Sequence, residues 1–485
     1  MSSELPGAWS WDESQLAAAA ERAARLAVDH LVGVGDGPVF APVPTALAER
    51  WGTAEWPAEG VAFSVLLDEL ASDVLRFPFG NGHPRFHGWV NSPPDRAAVL
   101  VDLLATAVDP SCAGGNHAAL HVERQVVRWL LETVGLPATG GGLLVSGASM
   151  ATVVALAAAR HAGAGFDVRS EGLAGQPPLT VYTSKQAHSC VTRAVELLGL
   201  GSRNLRVLEP DADYRLDPTS LDDELRQAAE RNERPVAVVA SAGTVSTGAI
   251  DPLDDIAAVC TAHDVWLHVD GAYGAPAILS RRYRAELIGL ARADSIALDP
   301  HKWLYVPVDA GVLLVREAER LRAAFSLVPP YLRLEHDPAG VSDAPWLSEY
   351  GPEQTRPWRA LRVWTALRST GRDGYRRLIE HDLALADHFV NRVRTDASLE
   401  LVSASLSIVC FRYRGASDDV QSEIARRIQL SGESFLTTTE LRNGVVLRAC
   451  FINPLTTEAD VDALAGLVVE VGDAITGVAT TTRRR

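Results

Sequence analysis

Cysteine is scarce and scattered, with five in 485 residues. Cys112, Cys190, Cys260, Cys410 and Cys450 form no CxxC pair. Such an odd, unspaced set offers neither a disulfide framework nor a zinc site, and it points to reduced thiols in a cytosol. No metal site is therefore expected. No run reaches the roughly 18–20 apolar residues of a membrane span. The opening MSSELPGAWSWDESQ is acidic and lacks the apolar core of a signal peptide. Basic charge is also short: 45 Lys and Arg against 61 Asp and Glu leave a formal net charge of −16. That balance opposes binding to nucleic acid or anionic lipid, which both need a basic footprint. The closing TTTRRR is the one basic cluster at an end and reads as a frayed tail. There is no internal repeat and no low-complexity linker. A soluble cytoplasmic protein is expected, with partners that are neither nucleic acid nor membrane.

What is present sorts into three regions. Residues 1–95 are an N-terminal helical segment, with Asp12 placed to cap a helix that runs to about Gly33 and a second helical stretch over Val61–Leu75. This segment is too thin to bury a core alone. Residues 96–370 alternate helical patterns with short β-branched runs: Leu179–Tyr182, Leu205–Leu208, Val236–Ala240, Val265–Val269, Ser295–Leu298 and Gly311–Val315. Apolar runs separated by helices predict a mostly parallel sheet covered on both faces. Ligands on such a sheet sit at the carboxyl ends of its strands. Residues 371–485 read as a small α+β domain, with a helix over Tyr375–Val393, strands at Leu406–Arg412 and Val445–Cys450, and a closing helix from Glu458.

The candidate chemistry lies where those strands end. In SIALDPHKWL, Lys302 follows a buried-type strand. Burying its charge is costly, so it either snorkels from the strand end or is made neutral and reactive toward an aldehyde. In WLHVDGAYGA, Asp270 ends an apolar strand and precedes small residues; alone, it could equally cap a helix or bind a cation. In GGLLVSGASMATVVALAAAR, the turn before Ala148 and Ser149 aims backbone N–H groups at an anion, though any Ser cap looks alike. His188 and Thr244 each follow a strand of their own.

In that order and context these segments resemble the group II decarboxylases of the fold-type I superfamily that depend on pyridoxal 5′-phosphate. The aromatic-L-amino-acid, tyrosine, histidine and glutamate decarboxylases are members. DPHKW and HVDGAYG carry the likeness most specifically, and it runs from about His83 into the C-terminal region. The resemblance implies an α/β fold of the PLP-dependent transferase type and a homodimer with its sites at the interface. It also implies decarboxylation of an L-amino acid to the amine and CO₂. Lys302 becomes the Schiff-base lysine, Asp270 the partner of the pyridine nitrogen, and His188 the ring-stacking histidine, with Ala272 on the opposite face. Ala148, Ser149, Thr244 and His301 join the cofactor site. Asp299 stands where many relatives have an asparagine near the phosphate, so its charge must be protonated, turned away or offset by donors. In LVPPYLR, Tyr331 matches the loop tyrosine proposed to return a proton to Cα. Arg359 and Trp364 match the segment after that loop, and Glu123 matches a glutamate of structural character.

Trp89, His87, Ser92 and Arg359 are the candidate substrate contacts. Trp89, together with the small residues of DPSCAGGNHAAL, favours an aromatic or other large side chain. Three rivals remain open: decarboxylation coupled to oxidative deamination, an aminotransferase using Arg448 for the α-carboxylate, and a catalytically silent dimeric scaffold.

Overall fold

The computed structural model describes residues 7–327 and 345–477. Seven strands form the main sheet: β1 (Gly141–Val145), β2 (Leu179–Ser184), β3 (Leu205–Leu208), β4 (Arg234–Ser241), β5 (Trp266–Asp270), β6 (Ser295–Leu298) and β7 (Gly311–Val315). Their spatial order is β1-β7-β6-β5-β4-β2-β3. β3, β2, β4, β5 and β6 pair in parallel, whereas β7 runs antiparallel to both β6 and β1. Since β1 and β6 oppose the same strand, every strand except β7 points one way. Their carboxyl ends share one edge. The fold is the expected mostly parallel α/β architecture.

Both faces of the sheet are covered, which the alternation along each strand makes visible. Val238, Ala240, Leu267, Val269, Ile296, Leu298, Val312 and Leu314 fall in one core. Leu143, Val145, Ala297, Leu313 and Val315 fall in another, with Ala151, Val154 and Ala155 of the helix Ala148–Gly163. The sequence reading found six of these strands and did not include β1.

A second, antiparallel sheet is ordered β10-β11-β9-β8, from β8 (Leu399–Ser405), β9 (Ile408–Tyr413), β10 (Thr437–Leu441) and β11 (Gly444–Cys450). β8 and β9 form a hairpin whose two turn residues are Leu406 and Ser407, with Ser405 paired to Ile408. The expected strand from Leu406 thus begins two residues later, and Leu406 has φ of 51°. The long helix Ala360–Thr395 breaks at Gly371, where φ is 68° and ψ is 164°, a conformation glycine adopts without strain. Near the start of the chain, Asp12 caps Glu13–Gly33 in a capping box with Gln15. The expected helix over Val61–Leu75 is an α-helix, Phe63–Glu69, running into a π-turn at Leu70–Val74.

One buried ion pair ties the edge strand to the far end of the chain. Glu123 and Arg356 meet at 2.6 Å, each side chain 1% exposed. Glu123 also accepts from the Leu144 amide, and Arg356 donates to the carbonyls of Cys112 and Leu144. Removing one partner leaves a charge stranded in a dry site. Arg356→Met should therefore lower unfolding free energy in urea by about 3–5 kcal/mol. Adding Glu123→Leu should recover part of that loss.

Candidate active site

A cleft opens at the carboxyl edge of the main sheet. Ala148 and Ser149 come to it from the end of β1, His188 and Cys190 from β2, Ser241, Gly243 and Val245 from β4, Asp270, Ala272 and Tyr273 from β5, and Asp299 and Lys302 from β6. Each side chain stands there because a parallel strand stops and hands the chain to a turn. A roomier apolar cavity lies between the helix Ala118–Val134 and Pro276, Leu279 and Leu367, but it brings together no lysine, histidine or cysteine.

The centre of the cleft is electrostatic. Lys302 Nζ lies 3.1 Å from Asp299 Oδ2. Burial pulls the Lys302 pKa down, yet Asp299 and Asp270 together outweigh it and the net shift is upward. That balance favours the protonated amine over one made neutral by its surroundings. Asp299 is in turn offset by donors: its Oδ1 accepts from the Ala148 amide at 2.7 Å, and its Oδ2 faces the Lys302 amine. Of the three fates left open for this carboxylate, compensation is the one found.

Asp270 Oδ1 accepts from the Ala272 amide at 3.1 Å, and the Cys190 thiol reaches its Oδ2 at 4.0 Å. His188 Nδ1 accepts from the Cys190 amide at 3.1 Å, which leaves the ring proton on Nε2. Its pKa is lowered, by desolvation first and against the pull of Asp270, so the ring is a neutral plane. His301 Nδ1 donates to the Ala310 carbonyl at 2.8 Å. At the head of the helix Ala148–Gly163, Ser149 and Met150 lie in the first turn, where amides have no intrahelical acceptor. A Cβ at Gly311 would lie 2.3 Å from Gly147 Cα, so β7 needs glycine there for this turn to seat.

Other expected residues stand elsewhere. Thr244 is buried with its hydroxyl 2.9 Å from that of Thr247, while its neighbours Gly243 and Val245 face the cleft. His87 is 1% exposed, packs its ring 5.0 Å from Phe451, and does not line the cleft. Ser92 donates to the His301 carbonyl at 3.1 Å. Arg359 is held by Glu353 at 3.0 Å and Asp309 at 3.4 Å. Trp89 packs its ring against Phe79 and Phe435, and Val90 takes the cleft position beside it. These four side chains brace the site's surroundings more than they face its interior. Trp364 donates to Gln125 at 2.7 Å. Tyr331 lies outside the described residues. Arg448, the arginine of the aminotransferase reading, spends its donors on the carbonyls of Ser246, Trp89 and Val245 at 3.1, 2.8 and 2.8 Å. Sequence reasoning missed Cys190 and Tyr273, although each lies within three residues of a residue it did select.

The comparisons with known proteins agree with this geometry. Residues 55–414 match the model of the pyridoxal-dependent decarboxylase conserved domain. The chain belongs to the pyridoxal-dependent decarboxylase family. It is 34% identical over 446 residues to an aromatic-L-amino-acid decarboxylase of Bacillus atrophaeus, covering 90% of this chain and 91% of that one. It is also 34% identical over 412 residues to an L-2,4-diaminobutyrate decarboxylase of Rhizobium meliloti, covering 83% and 80%. A solved Oryza sativa structure, TDC with PLP and tryptamine, superposes with a TM-score of 0.89 at 28% identity, over 96% of this chain and 99% of that one.

Pyridoxal 5′-phosphate is the family's cofactor, and the residues present fit it. The cleft joins a lysine amine, a carboxylate at a strand end, a neutral imidazole and a helix N-terminus with free amides. That set matches an aldehyde, a ring nitrogen, a ring face and a phosphate.

His87 yields a direct test of its packing role. Burial drives its pKa down to about 3. As pH falls below about 6.5, the unfolded chain takes up a proton that the folded one refuses, so stability present near neutrality is lost on acidification. Between pH 7 and pH 5, urea titrations of His87→Leu should show about 2 kcal/mol less loss of stability than the parent.

Proposed function

We propose that this decarboxylase acts on an amino acid with an aromatic or other large side chain, releasing the amine and CO₂, as a cytoplasmic homodimer. The reaction itself, decarboxylation of an amino acid, follows from its family. The observation that carries the reading is the meeting of Lys302, Asp270 and His188 at one sheet edge. For the substrate, support comes from the cleft wall. Val90, Val245, Ala148, Ala272 and Tyr273 are apolar or aromatic, and the charged lining groups Lys302, Asp270 and Asp299 answer one another. No described lining residue is left to pair with a charged substrate side chain.

Within this reading Lys302 would bind the cofactor, Asp270 would keep its ring nitrogen protonated, and the first-turn amide of Ser149, beside Ala148, would hold its phosphate. Bound pyridoxal phosphate supplies the sink for the electron pair that CO₂ leaves behind. His188 would lie against the ring and offer its Nε2–H, and Ala272 would close the other side. Asp299 and His301 shape the phosphate end of the cleft. Tyr331 would return the proton to Cα. Holding the α-carboxylate against the apolar part of the wall, away from the Lys302 amine, would leave its charge unsupported, which favours its departure over loss of the α-proton.

The dimer reading rests on exposed apolar surface and on helices that bury nothing within one chain. The helices Glu13–Gly33 and Thr45–Thr53 contain no buried residue. On the helix Arg96–Val108, Leu100, Leu103, Leu104 and Val108 are 54–66% exposed. A second copy covering both is the economical solution. Residues 1–95 would then pack on the partner, residues 96–370 hold the cofactor and residues 371–485 form the small domain.

Supplying PLP and screening the proteinogenic amino acids for CO₂, with mass detection of the amine, tests the whole. Aromatic substrates should lead. Turnover of a diamino acid alone would overturn the substrate class, and stoichiometric ammonia with peroxide would convert the reading to aldehyde formation. Asp270→Asn should lower kcat on the order of 10²–10³-fold in correctly folded protein, through lost stabilisation of developing charge.

A further inference from the structure

Asp382 is an acid that the cleft does not use. It lies on the helix Ala360–Thr395, beyond the break at Gly371, and is 0% exposed. Its Oδ2 accepts from Trp303 Nε1 at 2.8 Å and from the Tyr305 hydroxyl at 2.6 Å, while Oδ1 has no partner. Burial pushes its pKa up to about 8, against the pull of its two donors. Packing alone would not choose such a group, because an unpaired buried polar atom costs stability.

Both donors belong to the turn that carries Lys302. Tyr305 holds a left-handed backbone, φ 55°, where a bulky residue is strained. Two local costs thus converge on residues one and three places after the lysine. The rest of the turn is equally tied. Ser92 donates to the His301 carbonyl, the Tyr375 hydroxyl to the Leu304 carbonyl at 3.0 Å, and the Asp95 amide to the Tyr305 carbonyl at 2.5 Å. Trp303 also stacks on Tyr273, ring centroids 5.0 Å apart and planes 13° from parallel. Tyr273 follows Asp270 by three residues and bonds the Ser407 hydroxyl in the β8–β9 turn at 2.6 Å. The lysine turn and the aspartate strand are therefore clamped to each other and to the C-terminal elements.

We propose that Asp382 is a positioning residue for Lys302, fixing Trp303 and Tyr305 so that the amine stands beside Asp299 in the cleft that Asp270 also lines. The inference rests on Lys302 being the cofactor lysine. Its test compares full-length Tyr305→Phe, Asp382→Leu and Asp382→Asn with the parent. The readouts are the PLP dissociation constant of the apoenzyme, the rate at which borohydride fixes PLP to residue 302, and the apoenzyme melting temperature. Tyr305→Phe and Asp382→Leu should weaken PLP binding about ten-fold, the scale of one lost hydrogen bond, and slow labelling. Asp382→Asn keeps an acceptor oxygen and should stay within about three-fold of the parent. Variants that melt lower but bind and label like the parent overturn the proposal, since Asp382 would then be structural only. Should Asp382→Leu fail to fold, Tyr305→Phe decides. Label found elsewhere than residue 302 in the parent defeats the site reading itself, and this inference with it.

Discussion

The ion pair of Lys302 with Asp299, within the field of Asp270, is the interaction on which this molecule turns. Lys302 stands at the end of β6, Asp270 at the end of neighbouring β5, and Asp299 one step beyond β6. Leaving any of the three alone in the cleft would strand a charge that water screens only partly. Together they stabilise one another, and the Ala148 amide shares the load on Asp299. The arrangement also sets a chemical condition. A lysine whose pKa is raised must release a proton before its nitrogen can attack a carbonyl, and the carboxylates that hold that proton oppose its release.

The sheet makes this possible by geometry alone. Parallel strands end on one side, so residues far apart in sequence arrive at one edge without long loops to carry them. β7 is the exception in direction, and it contributes no side chain to the cleft lining, only Gly311, whose missing side chain admits the Gly147 turn. Precision comes from elsewhere. The turn after β6 is held by Ser92 and Asp95 from the N-terminal side and by Tyr375 and Asp382 from the C-terminal side. Catalytic groups are thus supplied by one layer and aimed by others, as a site that must hold sub-ångström geometry requires.

What could be read from sequence follows the same division. Lys302, Asp270, His188, Ala148 and Ser149 were legible because each follows a short apolar run, and strand ends are where an α/β sheet keeps its chemistry. Thr244 obeyed the same rule and yet turned away, because the turn after β4 bonds its hydroxyl to Thr247. A strand end locates a side chain to within one residue; the turn's own hydrogen bonds choose which one faces inward. β8 was missed for a related reason. Its hairpin turns on Leu406-Ser407, without the Asn-Gly or Asp-Gly that announces a two-residue turn.

The substrate side was the least legible, and the cause is physical. Residues 83–94 contain no regular helix or strand, so no periodicity of 2 or 3.6 assigns their faces. His87 and Trp89, two apart, would share a face in a strand. In this loop His87 is sealed against Phe451, whereas Trp89 stands 45% exposed at φ 46°. The loop's backbone is committed instead: His87 N–H bonds the Phe435 carbonyl, the His87 carbonyl accepts from Cys450, and the Trp89 carbonyl accepts from Arg448. Those bonds to β11 and its surroundings decide which side chains turn outward, and they are made across more than 340 residues of sequence, as the 359-residue separation of Trp89 and Arg448 illustrates. The side-chain directions of residues 83–94 are therefore set by long-range contacts from the C-terminal sheet, while the groups of the cleft are set locally at strand ends.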